Sequence, residues 1–329
     1  MSPRVCIVGA GAVGSLIGAR LAAGGVRTSA LARGSTLDAL RSYGWRLSQE
    51  GRQSVAPVRA SDNPVELGAH DVVLIAVKTP ALPDLAPRLA PLIGPDTVIV
   101  PAMNGVPWWF CAGLGGPVDG VRLRSVDATG GLAAALDPSR VVGCVVHLSA
   151  SMSAPGQCVR GGGNRLILGE PSGTSSGRLS GLVDLLAGAG FDVSASARIQ
   201  TDVWFKLWGN LTMNPISVLT GTTMDHILDD DLVQDFVVSV MGEARAIGER
   251  IGCPIEQDPL DRIAVTRAVG AVRTSMLQDA DAGRAIELDA LVGAAVELGS
   301  FVGVATPWTN ALLGLTRVAA RARGLYPPG

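Results

Sequence analysis

Short runs of apolar residues alternate with helical patterns up to about residue 197. Such runs, rich in valine, isoleucine and leucine, are typical of strands buried on both faces of a parallel sheet. The strands predicted in this way are Val5–Val8, Arg27–Ala32, Asp71–Val77, Thr97–Val100, Val141–Leu148, Arg165–Leu168 and Phe191–Ser194. The strands at 141–148 and 165–168 lie close together around three glycines, 161–163, which favours an antiparallel extension at the sheet edge.

Beyond residue 197 the pattern changes to long helical segments with few strand signals. The helices predicted along the chain are Ser176–Gly190, Ile199–Leu219, Asp230–Gly252, Asp258–Asp281, Glu287–Gly303 and one after Pro307, with a frayed tail at Tyr326–Gly329. We therefore predict an α/β fold in two domains. Residues 1–197 form a doubly wound sheet with an antiparallel extension, and residues 198–329 form an all-α domain.

The first strand leads directly into a glycine-rich turn, Gly9-Ala10-Gly11-Ala12-Val13-Gly14, which has the pattern G-x-G-x-x-G. The first glycine permits a tight turn, the second lets the backbone approach a pyrophosphate, and the third lets the following helix pack closely. The order strand, turn, helix predicts a Rossmann-type dinucleotide site in the N-terminal domain. A turn without a ligand remains the structural alternative, because the chain has 42 glycines.

The residue that reads the ribose is expected about 20 residues further on, at the end of the second strand. Arg33 stands there, followed by Gly34, Ser35 and Thr36, and no acidic residue ends the strand. A guanidinium attracts a 2′-phosphate, which a carboxylate would repel. The sequence therefore favours NADP(H) over NAD(H), although Arg33 could also be an ordinary loop arginine.

Composition excludes several other classes of protein. The hydrophobic content of 47%, the net charge of −2 and the lack of a basic block give no support for nucleic-acid binding. Five scattered cysteines and three histidines show neither disulfide nor metal-ligand spacing, so we expect a reducing compartment and no metal. Polar and small residues interrupt uncharged stretches such as Val141–Val159 and Leu298–Thr316, which indicates no membrane span. We expect a cytoplasmic protein and leave a homodimer open.

Lys206, Asn210 and Asn214 are spaced i, i+4, i+8 on an otherwise apolar predicted helix, so they share one face. Reduction of a ketone requires a proton donor for the carbonyl oxygen and groups that hold the substrate. A lysine can supply the proton and stabilise the developing alkoxide, and a neutral amide can hold an oxygen. The alternative is a polar surface stripe, and Pro215 offers a second explanation for Asn214 as a residue at a helix bend.

A second polar cluster runs from Ser275 to Asp289 and includes Glu287. Ser275 and Glu287 could face one site from adjoining helices. Glu287 is equally well explained as a carboxylate at a helix N-terminus, where the helix dipole favours it.

These motifs together resemble the ketopantoate reductase family, the NADPH-dependent 2-dehydropantoate 2-reductases of pantothenate biosynthesis. The resemblance extends through almost the whole chain and rests on the order and spacing of its motifs. They are Gly9–Gly14, Ile75–Thr79, Asn104–Val106, Lys206–Asn210 with Asn214-Pro215, and Ser275–Asp279 followed by Glu287–Asp289.

The resemblance implies a role for each matching residue. Lys206 would be the general acid, and Glu287 would orient the substrate near it. Asn210 and Asn214 would bind substrate oxygens, and Ser275 would bind the substrate carboxylate. The positions implied at the cofactor are Asn104, which also contacts the substrate, Lys78, and Arg33 at the 2′-phosphate.

The chain departs from the family pattern at Met103, Val272 and Met224, where some members have polar residues. These departures concern the substrate side, so they leave reduction plausible and the identity of the 2-oxo acid open. The alternatives are an NADP(H)-dependent dehydrogenase of another 2-oxo or β-hydroxy acid, which would share the Lys206/Asn210 pair, and a non-catalytic NADP(H)-binding sensor.

Overall fold

The structure, a computed structural model, describes residues 3–327 and divides into two compact units. The first unit extends to Met103 and resumes over Gly131–Ile199, whereas the second contains Asn104–Gly130 and the chain from Gln200 onward. The domain boundary predicted at 197/198 divides the chain into two consecutive segments. The structure differs in that 104–130 joins the helical unit, which puts Asn104 in the same unit as Lys206.

The first unit contains every strand that the described chain forms. Its elements in chain order are β1 (Arg4–Val8), α1 (Ala12–Ala23), β2 (Arg27–Leu31), α2 (Gly34–Tyr43), β3 (Trp45–Gln49), β4 (Arg52–Ala56), β5 (Arg59–Ser61), α3 (Pro64–Leu67), β6 (His70–Ile75), α4 (Leu82–Leu85), β7 (Ile93–Pro101), α5 (Gly131–Ala135), β8 (Gly143–Ala154), β9 (Gln157–Gly169), α6 (Gly177–Gly188) and β10 (Asp192–Ala195). The second unit contributes only helices, so the predicted fold class is confirmed.

The main sheet has five parallel strands in the order β5-β2-β1-β6-β7. Strand β1 lies at its centre, and residues 5–8 are fully buried, as expected for a strand covered on both faces. The strand order reverses between β1 and β6, and open parallel sheets bind ligands beyond the carboxyl ends of their strands at such a point.

A second sheet has the order β10-β9-β3-β4, and β8 pairs with β9 in antiparallel fashion. The predicted antiparallel pair is therefore present, but it belongs to this second sheet and touches the main one through a bridge between Ile99 and Val141. Both strands are longer than predicted: glycines 161–163 lie within β9, and the hairpin turns at Pro155-Gly156.

The second unit consists of helices joined by short connections. Its elements are α7 (Ile199–Thr220), α8 (Met224–Leu228), α9 (Asp231–Ile251), α10 (Pro259–Ala268), α11 (Ser275–Asp281), a π-helical turn (Asp289–Gly293), α12 (Ala294–Val302) and α13 (Pro307–Ala322). The single helix predicted over 258–281 is wrong, because the chain breaks between α10 and α11 around Gly270, which has a φ of +79°. Within residues 3–327, no helix is both long and apolar enough to cross a membrane.

The tail also differs from the prediction that it frays. Leu325 is fully buried and Tyr326 is hydrogen-bonded to Asp289. Pro328 and Gly329 lie outside the described residues.

Candidate functional site

The turn between β1 and α1 has the backbone geometry that its glycines predict. Gly9 has a φ of +93°, which residues with a side chain rarely adopt. A Cβ at Gly14 would lie 2.1 Å from the carbonyl oxygen of Gly9, so only glycine lets α1 approach the turn this closely. The fold itself requires both of these glycines, with or without a ligand.

Gly11 differs, because a Cβ there would meet no atom within 4 Å. It has an ordinary φ of −75° and is the N-cap of α1, with no side-chain cap and no acidic residue in the first helical turn. Exposed backbone at an uncapped helix N-terminus suits a phosphate group, which accepts hydrogen bonds from the free N–H groups. The residues at this turn therefore fit the pyrophosphate of a dinucleotide.

Arg33 and Lys78 lie at the same edge of the sheet as the glycine turn. Each follows the carboxyl end of its strand, and β2 and β6 are the parallel neighbours of β1. Arg33 is the N-cap of α2 and is exposed, with no acidic partner among residues 3–327. Lys78 is half-buried at the start of a short 3-10 turn. Three of the predicted cofactor elements, Gly9–Gly14, Arg33 and Lys78, thus lie at one edge of one sheet, whereas the fourth, Asn104, belongs to the other unit.

Replacing Gly11 with alanine is expected to weaken NADPH binding without loss of stability. The new methyl group meets no protein atom, but it occupies the space through which a pyrophosphate approaches the backbone. We expect the dissociation constant, measured by fluorescence titration, to rise by roughly tenfold or more, which corresponds to about 1.4 kcal/mol. Gly177→Ala, at the first residue of α6 and equally open, is the matched control. Equal affinity in the two variants would argue against a pyrophosphate at this turn.

In the second unit, Lys206 lies on α7 and is half-buried. Two tryptophans of α7 orient the helix, because the indole N–H of Trp204 donates to the carbonyl of Ala244 and that of Trp208 to the carbonyl of Met241 on α9. Lys206 is two residues from each tryptophan, so it lies on the opposite face of α7. The packing of α7 on α9 therefore directs Lys206 away from the core between these two helices.

The ammonium Nζ of Lys206 donates a hydrogen bond of 2.8 Å to Oδ1 of Asn104. Asn104 belongs to a turn in which Gly105 has a φ of +81° and the N–H of Val106 donates to the carbonyl of Ala290 at 2.8 Å. A Cβ at Gly105 would lie 2.7 Å from the same carbonyl oxygen. This close approach requires glycine, and it fixes the segment of Asn104 against the π-helical turn.

Asn210 and Asn214 follow Lys206 along the same face of α7, as their spacing predicts. Asn210 is half-buried, and Asn214 is only 5% exposed. Neither side-chain amide makes a hydrogen bond to any residue between 3 and 327. Because a shielded amide without a partner is costly, such groups are suited to bind the oxygen atoms of a ligand.

Glu287 is buried, at 5% exposure, and its carbonyl accepts from the N–H of Leu291 in the π-helical turn. The same turn supplies the Ala290 carbonyl that holds the segment of Asn104. Glu287 and Asn104 are therefore supported by one short element. Single π-helical turns occur frequently at functional sites.

Ser275 is the exposed first residue of α11. The residue before it, Thr274, connects the start of α11 with Ser217 of α7 through a hydrogen bond between their hydroxyl groups. Ser217 donates to the carbonyl of Asn214 at 2.7 Å, and the Ser217 and Thr274 hydroxyls are 2.6 Å apart. Thr274 in turn accepts from the N–H of Leu277 and so caps α11. This links the start of α11 to the turn of α7 that carries Asn214.

Sequence reasoning missed Ser217 and Thr274. A signal was present for Thr274, because threonine before an apolar helical segment is a common N-cap.

The rarity of lysine is a second sequence signal, and it points to the site residues already predicted. The chain contains only Lys78 and Lys206, whereas the other 25 residues of the Lys and Arg types are arginines. Both lysines are among the predicted site residues.

Two of the three departures from the family pattern lie side by side. The N–H of Met224 donates to the carbonyl of Val272 at 3.0 Å, and the Val272 side chain is 39% exposed. The helical unit thus presents an apolar pair there.

Comparison with known proteins gives a consistent result. The family model described as "Ketopantoate reductase PanE/ApbA" matches residues 5–108, and its C-terminal counterpart matches residues 198–320. A 2-dehydropantoate 2-reductase of Mesorhizobium japonicum is 43% identical over 98% of this chain and 99% of its own length.

Solved structures agree with these matches. A crystal structure from Ralstonia solanacearum, provisionally described as a ketopantoate reductase, is 54% identical with a TM-score of 0.95, covering 98% of this chain and 99% of that one. A 2-dehydropantoate 2-reductase from Methylococcus capsulatus is 28% identical with a TM-score of 0.82, covering 97% of each chain.

A Rossmann-type unit with a glycine turn and a helical unit that carries a lysine define a class of oxidoreductases that act on a CH–OH group and depend on a nicotinamide dinucleotide. Within that class, this chain belongs to the ketopantoate reductase family.

Proposed function

We propose that this protein reduces the keto group of 2-dehydropantoate to the hydroxyl group of pantoate, with NADPH as the reductant and Lys206 as the general acid. The observation that carries the proposal is the 2.8 Å contact between the Lys206 ammonium and Asn104. The same helix face carries the amides of Asn210 and Asn214, which have no hydrogen-bond partner among the described residues. The identity of 43% to a 2-dehydropantoate 2-reductase supports the choice of substrate.

The first unit supplies the proposed cofactor residues. Gly9–Gly14 would hold the pyrophosphate at the N-terminus of α1, and Arg33 would bind the 2′-phosphate of NADPH through charge-assisted hydrogen bonds. Lys78 would bind the cofactor at the same edge of the sheet, and Asn104 would serve both ligands. When bound, NADPH supplies the hydride that reduces the carbonyl carbon.

The second unit supplies the proposed proton and the substrate contacts. Lys206 gives the proton that converts the developing alkoxide into the hydroxyl group of pantoate, and its positive charge stabilises that alkoxide. Asn210 and Asn214 hydrogen-bond the substrate oxygens, and Ser275 holds the carboxylate. Glu287 orients the substrate toward Lys206. Asn104 accepts a hydrogen bond from Lys206 and so holds its ammonium group in place.

One observation favours a second candidate substrate. The apolar pair Met224 and Val272 offers no side-chain partner to a hydroxyl group, so a 2-oxo acid with a purely apolar side chain would also suit this surface. The chemistry at Lys206 would be unchanged.

The test compares NADPH oxidation with 2-dehydropantoate and with 3,3-dimethyl-2-oxobutanoate, which differs only by lacking the hydroxyl group. A site that binds the hydroxyl is expected to prefer 2-dehydropantoate by about a hundredfold or more in kcat/KM. A preference for the analogue would move the assignment to another 2-oxo acid. NADPH binding without turnover of any 2-oxo acid in a panel would indicate a sensor instead.

A further inference from the structure

The last described residues pack against the segment that carries Glu287. The N–H of Ile286 donates to the carbonyl of Leu325 at 3.1 Å, and the N–H of Leu325 donates to the carbonyl of Ala320 on α13 at 2.8 Å. Leu325 is only 1% exposed, so its side chain anchors this part of the tail in the core of the helical unit. The backbone directly before Glu287 is thus attached to the end of α13.

Tyr326 makes the next contact. Its hydroxyl group lies 2.7 and 2.8 Å from the two carboxylate oxygens of Asp289, the first residue of the π-helical turn. The guanidinium groups of Arg317 and Arg321 lie 5.7 and 5.5 Å from the centre of the Tyr326 ring, so the ring interacts with two cations of α13. Burial, the hydrogen bond to Asp289 and the charge of Asp289 raise the pKa of Tyr326, so its hydroxyl group remains a donor at neutral pH.

The π-helical turn is hydrogen-bonded both to the segment that carries Asn104 and to Glu287. The carbonyl of Ala290 in this turn accepts a hydrogen bond from the N–H of Val106 and so holds the segment of Asn104, whose side chain accepts from Lys206. The N–H of Leu291 in the same turn donates to the carbonyl of Glu287. A π-helical turn is a rare conformation, so contacts from outside the turn are needed to select it over a regular helix. Asp289 receives such a contact from the phenol of Tyr326.

We propose that Tyr326 is a positioning residue: by holding Asp289 it fixes the π-helical turn, and through that turn it sets the positions of Glu287 and of the Asn104–Lys206 pair. Tyr326 itself needs no contact with the substrate or the cofactor. The inference deepens the proposed function and rests on it for its kinetic consequence, whereas the structural consequence is independent of any substrate.

Tyr326→Phe tests this role, because it removes the hydroxyl group and keeps the ring beside Arg317 and Arg321. We expect kcat for 2-dehydropantoate to fall by about tenfold, less than the roughly hundredfold loss that a 1 Å misplacement can cause. The KM for NADPH should change much less than kcat, since Gly9–Gly14, Arg33 and Lys78 of the first unit are untouched and only Asn104 among the proposed cofactor residues is affected. The matched control is Tyr43→Phe, the other tyrosine of the chain, whose ring also lies over an arginine.

Hydrogen exchange gives a readout that needs no substrate. Amides of the π-helical turn should exchange faster in Tyr326→Phe than in Tyr43→Phe, and Asp289→Ala, which removes the acceptor of the Tyr326 hydroxyl group, should show at least the same increase. The double variant Tyr326→Phe/Asp289→Ala should lose no more activity than Asp289→Ala alone, because the Tyr326 hydroxyl group has no acceptor at Asp289 once the carboxylate is gone. Asp289→Ala also removes the ion pair of Asp289 with Arg317, so it can lose more activity than Tyr326→Phe.

Unchanged exchange in the π-helical turn would overturn the proposal, whatever the kinetics. Faster exchange with kcat equal to that of the control would overturn it as well. If the wild-type protein does not turn over 2-dehydropantoate, the proposed substrate fails, and the exchange measurement still decides whether Tyr326 fixes the turn.

Discussion

Lys206→Ala is expected to lower kcat for 2-dehydropantoate by about 10²- to 10⁴-fold, the range that a positioned proton donor contributes. The variant removes both the proton donor and the positive charge beside the developing alkoxide. NADPH affinity, measured by fluorescence titration, should stay within a small factor of wild type, because the residues proposed to bind its phosphates belong to the other unit. Steady-state NADPH oxidation measures kcat.

Lys206→Arg distinguishes the loss of the proton donor from the loss of the positive charge. Arginine keeps the positive charge and can donate to Asn104, but a guanidinium does not release a proton in this pH range. We therefore expect the arginine variant to remain far below wild type.

The kcat of Lys206→Ala can also contradict the general-acid role of Lys206. If kcat of Lys206→Ala lies within about tenfold of wild type, Lys206 is not the general acid, because a tenfold loss is smaller than the usual contribution of such a group. An alanine variant that no longer binds NADPH would instead indicate damage to the fold, and the melting temperature would show it.

Local patterns were sufficient for the first part of the fold. The run from β1 through the glycine turn to α1 is a continuous stretch, and each of its features follows from neighbouring residues. The hairpin of β3 and β4 was missed, because its strands are short and largely polar and turn at Glu50-Gly51, where both φ angles are positive. In the same way, the helical pattern over 258–281 gave no warning that Gly270 interrupts it.

The site could be predicted only as far as helical spacing and resemblance extend. Spacing alone puts Lys206 and the two asparagines on one face of α7. The contact between Lys206 and Asn104 joins residues 102 positions apart, so no local pattern could yield it, and the resemblance supplied Asn104. The contact of Tyr326 with Asp289 had no sequence signal at all, because a tyrosine in a proline-rich tail looks like an exposed terminus.

Arg33→Ala is expected to raise the KM for NADPH by roughly 10- to 100-fold and to leave the KM for NADH almost unchanged. One charge-assisted hydrogen bond contributes about 1.5–3 kcal/mol, and about 1.4 kcal/mol corresponds to tenfold in affinity. The 2′-phosphate is the only group that distinguishes the two cofactors, so a loss confined to NADPH assigns Arg33 to that phosphate. Initial rates with each cofactor at a fixed concentration of 2-dehydropantoate give both KM values.

Arg27→Ala is the matched control, because Arg27 is an exposed arginine at the opposite end of β2. It carries the same charge as Arg33 but lies at the amino edge of the sheet, so its loss should change neither KM value. An equal increase of both KM values in Arg33→Ala would mean that Arg33 supports the loop rather than the 2′-phosphate. An increase for NADPH in both variants would point to the general charge of the unit, since long-range attraction does not depend on the position of one guanidinium. The end of β2 is the position where this chain selects NADPH only if the KM increases in Arg33→Ala and not in Arg27→Ala, and increases for NADPH and not for NADH.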